Sequence, residues 1–166
     1  MDFTHQYGPW AVVTGASAGL GADYCRQLAA LKMNLVLVAR RAEQMEALAK
    51  QLQAQHGVDC RVLAIDLLAE DAIAQIMKGV RGLEIGLLVN NAGFGWKGPF
   101  LEGGAARLRD MVRLNCEVPT LLSYALLPAM VERGRGGLVM LASTEAFQPT
   151  PYFSVYGATK GYDLLL

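Results

Sequence analysis

The stretch TGASAGLG, residues 14–21, decides the fold of this chain, because it stands where the apolar run AVV gives way to a helix-like pattern. It contains three glycines, Gly15, Gly19 and Gly21. A tight turn needs only one glycine, since one residue with positive φ is enough to make it. Three glycines so close together predict that another group approaches the backbone here.

Strand-like and helix-like patterns alternate along the rest of the chain. Short apolar runs predict five strands: WAVVT (10–14), LVLVA (35–39), RVLAIDL (61–67), IGLLVNNAG (85–93) and GGLVMLAS (136–143). Helical periodicity predicts helices over residues 20–32, 42–56, 69–80 and 105–132, the last in spite of Pro119. Apolar strands separated by helices indicate a doubly wound, Rossmann-like α/β domain whose parallel sheet is covered on both faces.

Composition excludes several classes of protein. The 166 residues carry no net charge and are 53% hydrophobic, which is typical of one globular domain and offers no basic surface for nucleic acid. The N-terminus MDFTHQYGPW does not resemble a secretory signal, and no apolar run approaches about 18 residues, so we expect a cytoplasmic protein without a membrane span. Cys25, Cys60 and Cys116 lack disulfide or zinc spacing, and His5 and His56 suggest no metal site.

The glycine-rich stretch is explained by this sheet. Ligands of such sheets bind beyond the carboxyl ends of the strands, where a glycine turn and the following helix direct backbone N–H groups at a phosphate. Gly15, Gly19 and Gly21 are therefore predicted to cradle a pyrophosphate. A purely structural glycine turn is the alternative.

TGASAGLG also resembles the cofactor-binding motif of the short-chain dehydrogenases/reductases. The same chain carries NNAG at 90–93, then Asn115, Ser143 and YGATK at 156–160, in the order and approximate spacing of that family. The resemblance extends from residue 10 to the end of the chain. It implies an oxidoreductase that uses a nicotinamide cofactor, with Asn115, Ser143, Tyr156 and Lys160 as its catalytic residues.

The side chains support this chemistry independently. Tyr156 and Lys160 are four residues apart, so they share one face of a helix. A tyrosine hydroxyl ordinarily has a pKa near 10, and a neighbouring cation makes it a better proton donor or acceptor at neutral pH. By resemblance, Ser143 holds the substrate carbonyl and Asn115 orders a water that connects Lys160 to solvent. The alternatives are a core tyrosine with a solvated lysine, a capping serine and a surface asparagine.

The resemblance also implies a set of cofactor contacts: Gly15, Ser17, Gly19, Leu20, Gly21, Arg40, Asp66, Leu67, Asn90, Ala92, Gly93, Tyr156 and Lys160. Asp66 would meet the adenine, although it could equally cap a helix. The second strand ends in Ala39, Arg40 and Arg41, with no carboxylate before Glu43 to bind a ribose 2′-OH. A guanidinium suits a 2′-phosphate, so NADP(H) is expected over NAD(H), with Arg40 as the principal contact.

The substrate is less well defined by the sequence. LVNNAGFGWKGPF and MNLVLVARR are similar to segments of reductases that act on bulky ketones, such as long-chain 3-oxoacyl groups or steroids. Two other functions stay open: a non-catalytic nucleotide-binding or regulatory module, and an epimerase or dehydratase.

The chain ends at YDLLL, ten residues after Tyr156. By resemblance, further strands, a substrate-covering loop and helices for subunit contact would follow. We therefore expect residues 1–166 to be a dehydrogenase domain that is incomplete on its C-terminal side, whose full-length form is a homo-oligomer. A naturally minimal variant is the alternative.

Overall fold

Five parallel strands form the centre of the molecule in the order β3-β2-β1-β4-β5. The computed structural model describes residues 2–166. The strands are β1 (Trp10–Thr14), β2 (Asn34–Ala39), β3 (Cys60–Ala64), β4 (Ile85–Asn90) and β5 (Gly137–Met140). The order reverses at β1, which lies between β2 and β4, so the carboxyl ends of β1 and β4 flank the crevice where such sheets bind ligands. The predicted doubly wound class is confirmed.

Helices cover both faces of this sheet. They are α1 (Phe3–Tyr7), α2 (Gly19–Ala30), α3 (Ala42–His56), α4 (Ala72–Gly79), α5 (Ala105–Val112), α6 (Val118–Glu132) and α7 (Ser154–Leu165). Helix α1, capped by the side chain of Asp2, was not predicted.

Alternate residues of the central strands enter two separate cores. Val13 and Leu35 pack on one face with Leu28 and Met45 of α2 and α3. The other face packs against α4 and α6, through residues such as Leu88, Ile76 and Leu122. Burial of each large aliphatic side chain contributes about 1.5–3 kcal/mol, which explains why these strands are apolar throughout.

Three strands are shorter than predicted, the interior strand β4, which ends at Asn90 instead of residue 93, and both edge strands. Strand β3 ends at Ala64 instead of residue 67, and β5 ends at Met140 instead of residue 143. Each has a single neighbour in the sheet and is only partly buried, so fewer ladder hydrogen bonds hold its end. Asp66 and Ser143 consequently lie in loops beyond the strands.

The helical segment Ala105–Glu132 is interrupted by a π-turn at Arg113–Glu117. The N–H of Val118 donates to the carbonyl of Arg113, five residues back. Pro119 has no N–H for the Asn115 carbonyl four residues earlier, which favours this wider turn. The helix prediction is confirmed, with this local change.

The sequence predicts no membrane span, yet this same segment meets the criteria for one by length and composition. Ala105–Glu132 has the length and mean hydropathy, 1.2 over 18 residues, of a helix that crosses a membrane. In this structure Leu122, Leu126 and Met130 of α6 are buried against the sheet. A position in the core thus accounts for one face of α6, whereas Tyr124 and Val131 of the same helix are exposed.

Candidate functional site

A cleft of about 440 Å³ opens at the carboxyl ends of the strands. The loops after β1, β2, β3 and β4 all contribute to it. Eight of the predicted cofactor residues line its walls: Gly15, Ser17, Leu20, Arg40, Asp66, Leu67, Ala92 and Gly93. The fold therefore brings together residues that lie far apart in the sequence.

The three glycines of the first loop have different surroundings. A Cβ on Gly15 would lie 2.7 Å from Nδ2 of Asn91, and a Cβ on Gly21 would overlap the carbonyl oxygen of Gly15. Gly19 has a φ of +53° and open space around it. The groups that approach Gly15 and Gly21 are thus parts of the protein itself, and Gly19 alone of the three leaves room beside it.

The first turn of α2 has the features of an anion-binding helix end. Ala18 occupies the N-cap position and forms no side-chain cap hydrogen bond, so the first N–H groups of the helix have no side-chain acceptor. Ala18 and Leu20 line the cleft, and Gly19 between them is exposed. Unpaired N–H groups and the positive helix end fit the phosphates of a dinucleotide.

Two arginines follow β2 at the side of the cleft. Nε and Nη2 of Arg41 donate to the hydroxyl of Ser17, at 3.2 and 2.9 Å. Arg40 also lines the cleft, and both side chains are exposed. Arg41 was not predicted as a site residue, yet it is the arginine that contacts the glycine turn.

Thr14 and Asn91 connect β1 to the loop after β4. The Thr14 hydroxyl accepts from the N–H groups of Asn91 and Ala92, both at 3.0 Å, and donates to the carbonyl of Val89. Neither residue was singled out by sequence reasoning, although both belong to motifs quoted above. Their hydrogen bonds hold the two walls of the crevice together.

Asn90 differs from its predicted role. Its side chain is buried, and its Nδ2 donates to the hydroxyl of Ser123 on α6 at 3.1 Å. It stands at the end of β4 with its side chain on the α6 face, so it does not line the cleft. Asp66 accepts from the N–H of Leu68 at 3.1 Å, as a turn-forming aspartate does, and also lines the cleft.

Asn115 is buried in the π-turn, with 1% of its surface exposed. Its Oδ1 accepts from the N–H of Phe94 at 3.1 Å, and its Nδ2 donates to the Phe94 carbonyl at 3.0 Å and to Oγ1 of Thr159 at 2.9 Å. The alternative of a surface asparagine is therefore wrong. Asn115 ties the loop after β4 to α7.

Lys160 is also buried, which excludes the alternative of a solvated lysine. Its Nζ donates to the Leu141 carbonyl and to Oδ2 of Asp163, both at 2.7 Å, and lies 6.0 Å from the ring centroid of Tyr156. Burial raises the pKa of the Asp163 carboxyl, and the ion pair with Lys160 opposes that shift. Asp163 was missed in the sequence, where its only signal is an acid within an apolar run.

Gly93 joins the cleft to these catalytic candidates. A Cβ on Gly93 would lie 2.9 Å from Oδ1 of Asn115 and 3.6 Å from Nζ of Lys160. Gly95, two residues further on, lies against the ring of Tyr156. The end of the cleft and the Tyr156/Lys160 pair are thus adjacent.

Ser143 lies in the loop after β5. Its hydroxyl accepts from the N–H of Glu145 at 3.3 Å and caps the short 3₁₀ turn Thr144–Ala146. That turn packs against α7, where the Glu145 carbonyl faces Gly157. The capping alternative is confirmed, and it places the hydroxyl at the carboxyl edge of the sheet.

Comparison with known proteins agrees with the family resemblance of the sequence motifs. The family model described as short chain dehydrogenase matches residues 9–162. The human very-long-chain 3-oxoacyl-CoA reductase is 33% identical over 159 residues, 93% of this chain and 51% of the relative. A human protein named inactive hydroxysteroid dehydrogenase-like protein 1 is 31% identical over 164 residues, 97% of this chain and 50% of the relative.

Solved structures agree in fold. The bulky-bulky ketone specific alcohol dehydrogenase from Comamonas testosteroni has a TM-score of 0.90 and 36% identity, covering 95% of this chain and 63% of that one. A short-chain dehydrogenase from Sphingobium yanoikuyae in complex with NADPH also has a TM-score of 0.90 and 36% identity, covering 95% and 62%. The chain spans about half the length of the curated relatives it matches.

Proposed function

Because the chain belongs to the short-chain dehydrogenase family, we propose that it binds a nicotinamide dinucleotide and serves an oxidoreductase that interconverts a carbonyl and a secondary alcohol. The observation that carries this proposal is the position of Gly93. It lines the cleft that suits a dinucleotide and lies beside both Asn115 and Lys160. The first turn of α2 thus lines one end of the cleft, while Tyr156 lies beside Gly95, two residues after the cleft residue Gly93.

Each of the catalytic candidates has a separate role in the proposed reaction. A nicotinamide cofactor, when bound, would supply or accept the hydride. The Tyr156 hydroxyl transfers the proton to or from the substrate oxygen, which the Ser143 hydroxyl orients. Lys160 provides a fixed positive charge near Tyr156, and Asn115 holds the loop and α7 at the right separation.

For the cofactor we propose NADP(H) rather than NAD(H). Arg40 and Arg41 line the side of the cleft, and no carboxylate follows β2 before Glu43. A 2′-phosphate gains charge-assisted hydrogen bonds from guanidinium groups, whereas a ribose 2′-OH favours an acid there. The NADPH complex of a structural relative supports this choice.

The proposed substrate is a bulky ketone or the corresponding alcohol. A relative is named as a very-long-chain 3-oxoacyl-CoA reductase, and a structural relative as specific for bulky-bulky ketones. A non-catalytic nucleotide-binding module is the second candidate, because another relative is named inactive. The presence of Ser143, Tyr156 and Lys160 favours the enzyme.

The test has two parts. NADPH and NADH are titrated against the chain by cofactor fluorescence, with tighter binding of NADPH expected; equal or tighter binding of NADH would refute the cofactor choice. Reduction of a panel of bulky ketones is then compared for the wild type and Tyr156→Phe. Loss of general acid catalysis should lower turnover by about 10²-fold or more while dinucleotide affinity stays within a few fold. Binding without any ketone reduction would favour the non-catalytic module.

A further inference from the structure

Asp163 is a buried carboxylate that the proposed reaction does not use. Only 5% of its surface is exposed, and its Oδ2 lies 2.7 Å from Nζ of Lys160. Its other oxygen, Oδ1, is buried without a hydrogen-bond partner among residues 2–166. The Asp163 carboxylate is therefore committed to Lys160 alone.

The Lys160 ammonium has three protons, and two of them have acceptors in the structure. Two are donated to the Leu141 carbonyl and to Asp163, which leaves one for the side of Tyr156 and Gly93. Because Leu141 follows β5 and Asp163 lies one turn further along α7, the two acceptors hold Nζ between the sheet and the helix. Lys160 is thus fixed in position without any bound ligand.

We propose that Asp163 is a positioning residue. It holds Lys160 in place and reduces the effect of the Lys160 positive charge on Tyr156. This inference rests on the proposed function, in which Tyr156 transfers the proton. A carboxylate 2.7 Å from an ammonium cancels much of the field of that ammonium at a third group several ångströms away. The electrostatic field of Lys160 at Tyr156 therefore depends on the charge of Asp163.

Apart from Glu145, whose Oε2 is buried without a hydrogen-bond partner among residues 2–166, the other charged groups around α7 have partners or are neutral. On the π-turn, burial raises the pKa of Cys116, so this thiol is uncharged at neutral pH. The remaining pairs are Arg113 with Glu117, Arg109 with Asp110, and Arg107 over the ring of Trp96; Glu145 of the 3₁₀ turn lies against Gly157. Asp163 is the acid in contact with Lys160.

The experiment follows the titration of Tyr156 directly in the 166-residue chain. The protein is labelled with [¹³Cζ]tyrosine, and the Tyr156 resonance is identified by its absence from Tyr156→Phe. Asp163→Asn keeps the size of the side chain and an acceptor for Lys160 but removes the negative charge. The titration midpoint of Tyr156 should fall by about one pH unit, the effect of an unmasked neighbouring cation.

The matched control is Asp23→Asn, which removes the acid of the exposed i,i+3 pair between Arg26 and Asp23 on α2. This variant should leave the Tyr156 midpoint unchanged. An unchanged or higher midpoint in Asp163→Asn would overturn the proposal, because a purely structural loss would not favour the phenolate.

A measurement on the wild type keeps the proposal testable if Asp163→Asn does not fold. With [¹³Cγ]aspartate labelling, the Asp163 carboxyl should be ionised at about pH 7, since only the ionised form can offset a charge. A protonated carboxyl at that pH would overturn the proposal. Neither titration uses cofactor or substrate, so failure of the proposed function and failure of this inference are distinguishable.

Discussion

The side-chain amide of Asn91 donates to the main-chain carbonyl of Thr14 at 2.8 Å, across 77 residues of sequence. It also reaches the Gly15 carbonyl at 3.4 Å, while the Asn91 N–H is bound by the Thr14 hydroxyl. One side chain thus satisfies the carbonyls where the first strand passes into the glycine turn.

Replacing this amide should destabilise the whole domain. Asn91→Ala leaves the Thr14 and Gly15 carbonyls without their donor, and the expected loss in the free energy of unfolding is about 1–3 kcal/mol. Urea denaturation measures it. The control is Asn34→Ala, which removes an acceptor of the Asp59 N–H in an exposed turn and should cost less. An equal cost for the two variants would contradict this account.

A methyl group at Gly21 should disrupt the same region. Its Cβ would overlap the Gly15 carbonyl and lie 2.6 Å from Nδ2 of Asn91, so the turn or the helix must shift. We expect Gly21→Ala to lose several kcal/mol of stability, as overpacking against backbone does, and to weaken dinucleotide binding.

Gly57→Ala is the matched control for Gly21→Ala. Gly57 ends α3 with a φ of +68° and open space around it, so only conformational strain of about 1 kcal/mol is expected there. Thermal unfolding and cofactor titration compare the two variants. A Gly21→Ala protein that matches Gly57→Ala in both would show that the close approach is not needed.

The two arginines of the cleft should contribute differently to cofactor binding. Each charge-assisted hydrogen bond to a phosphate is worth about 1.5–3 kcal/mol, so loss of the arginine that binds the 2′-phosphate should weaken NADPH about 10- to 100-fold and leave NADH little changed. We expect Arg40→Ala to show this selective loss. Arg41→Ala should weaken both cofactors, since it frees Ser17 in the glycine turn.

Arg81→Ala is the control for this pair, because Arg81 is exposed beyond α4 and does not line the cleft. Isothermal titration calorimetry with both dinucleotides distinguishes the variants. If Arg41→Ala alone lost NADPH selectively, the principal contact would have to be reassigned from Arg40 to Arg41.

The Cys25 thiol should make stability depend on alkaline pH. Burial raises the pKa of Cys25 to about 12, from 9.0 in its unperturbed form. The folded state keeps this proton more tightly than the unfolded state. The resulting contribution of Cys25 to the free energy of unfolding is therefore complete below about pH 9 and is lost as pH rises toward about 12.

Cys25→Ala removes this dependence. The difference in unfolding free energy between wild type and variant should be constant up to about pH 9 and then shrink by about 1.4 kcal/mol per pH unit. Urea titrations at several pH values measure it, and groups common to both proteins cancel. A difference that stays constant to about pH 10.5 would contradict the assignment.

The central part of the fold was predictable because it obeys local rules. Strands β1, β2 and β4 are apolar on both faces, and their predicted starts agree with the structure within one residue. The predicted ends of β3, β4 and β5 are each three residues too late, because a local pattern does not show where pairing with the neighbouring strand stops. The π-turn likewise depends on one absent N–H at Pro119 within an otherwise regular helical pattern.

The site was predictable in its motifs and less so in its contacts. Most of the predicted cofactor residues line one cleft, whereas Asn90 faces the core because of its parity in β4. Arg41 and Asp163 were missed because the contact of each depends on the tertiary structure. Arg41 binds Ser17 in a different loop, and Asp163 binds Lys160, whose burial is not evident from the sequence.

The π-turn sets the rotational phase between α5 and α6. Met111 and Met130 are both buried although they are nineteen residues apart. At about 100° per residue, an unbroken α-helix would turn the second side chain about 100° away from the first. The wider turn absorbs one additional residue, which by this geometry offsets a rotation of about 100°. Deleting or inserting a single residue within Arg113–Glu117 would therefore rotate α6 relative to α5. Either the core side of α6 or the contact of Asn115 with α7 would then be misaligned, although each helix would keep its own hydrophobic pattern.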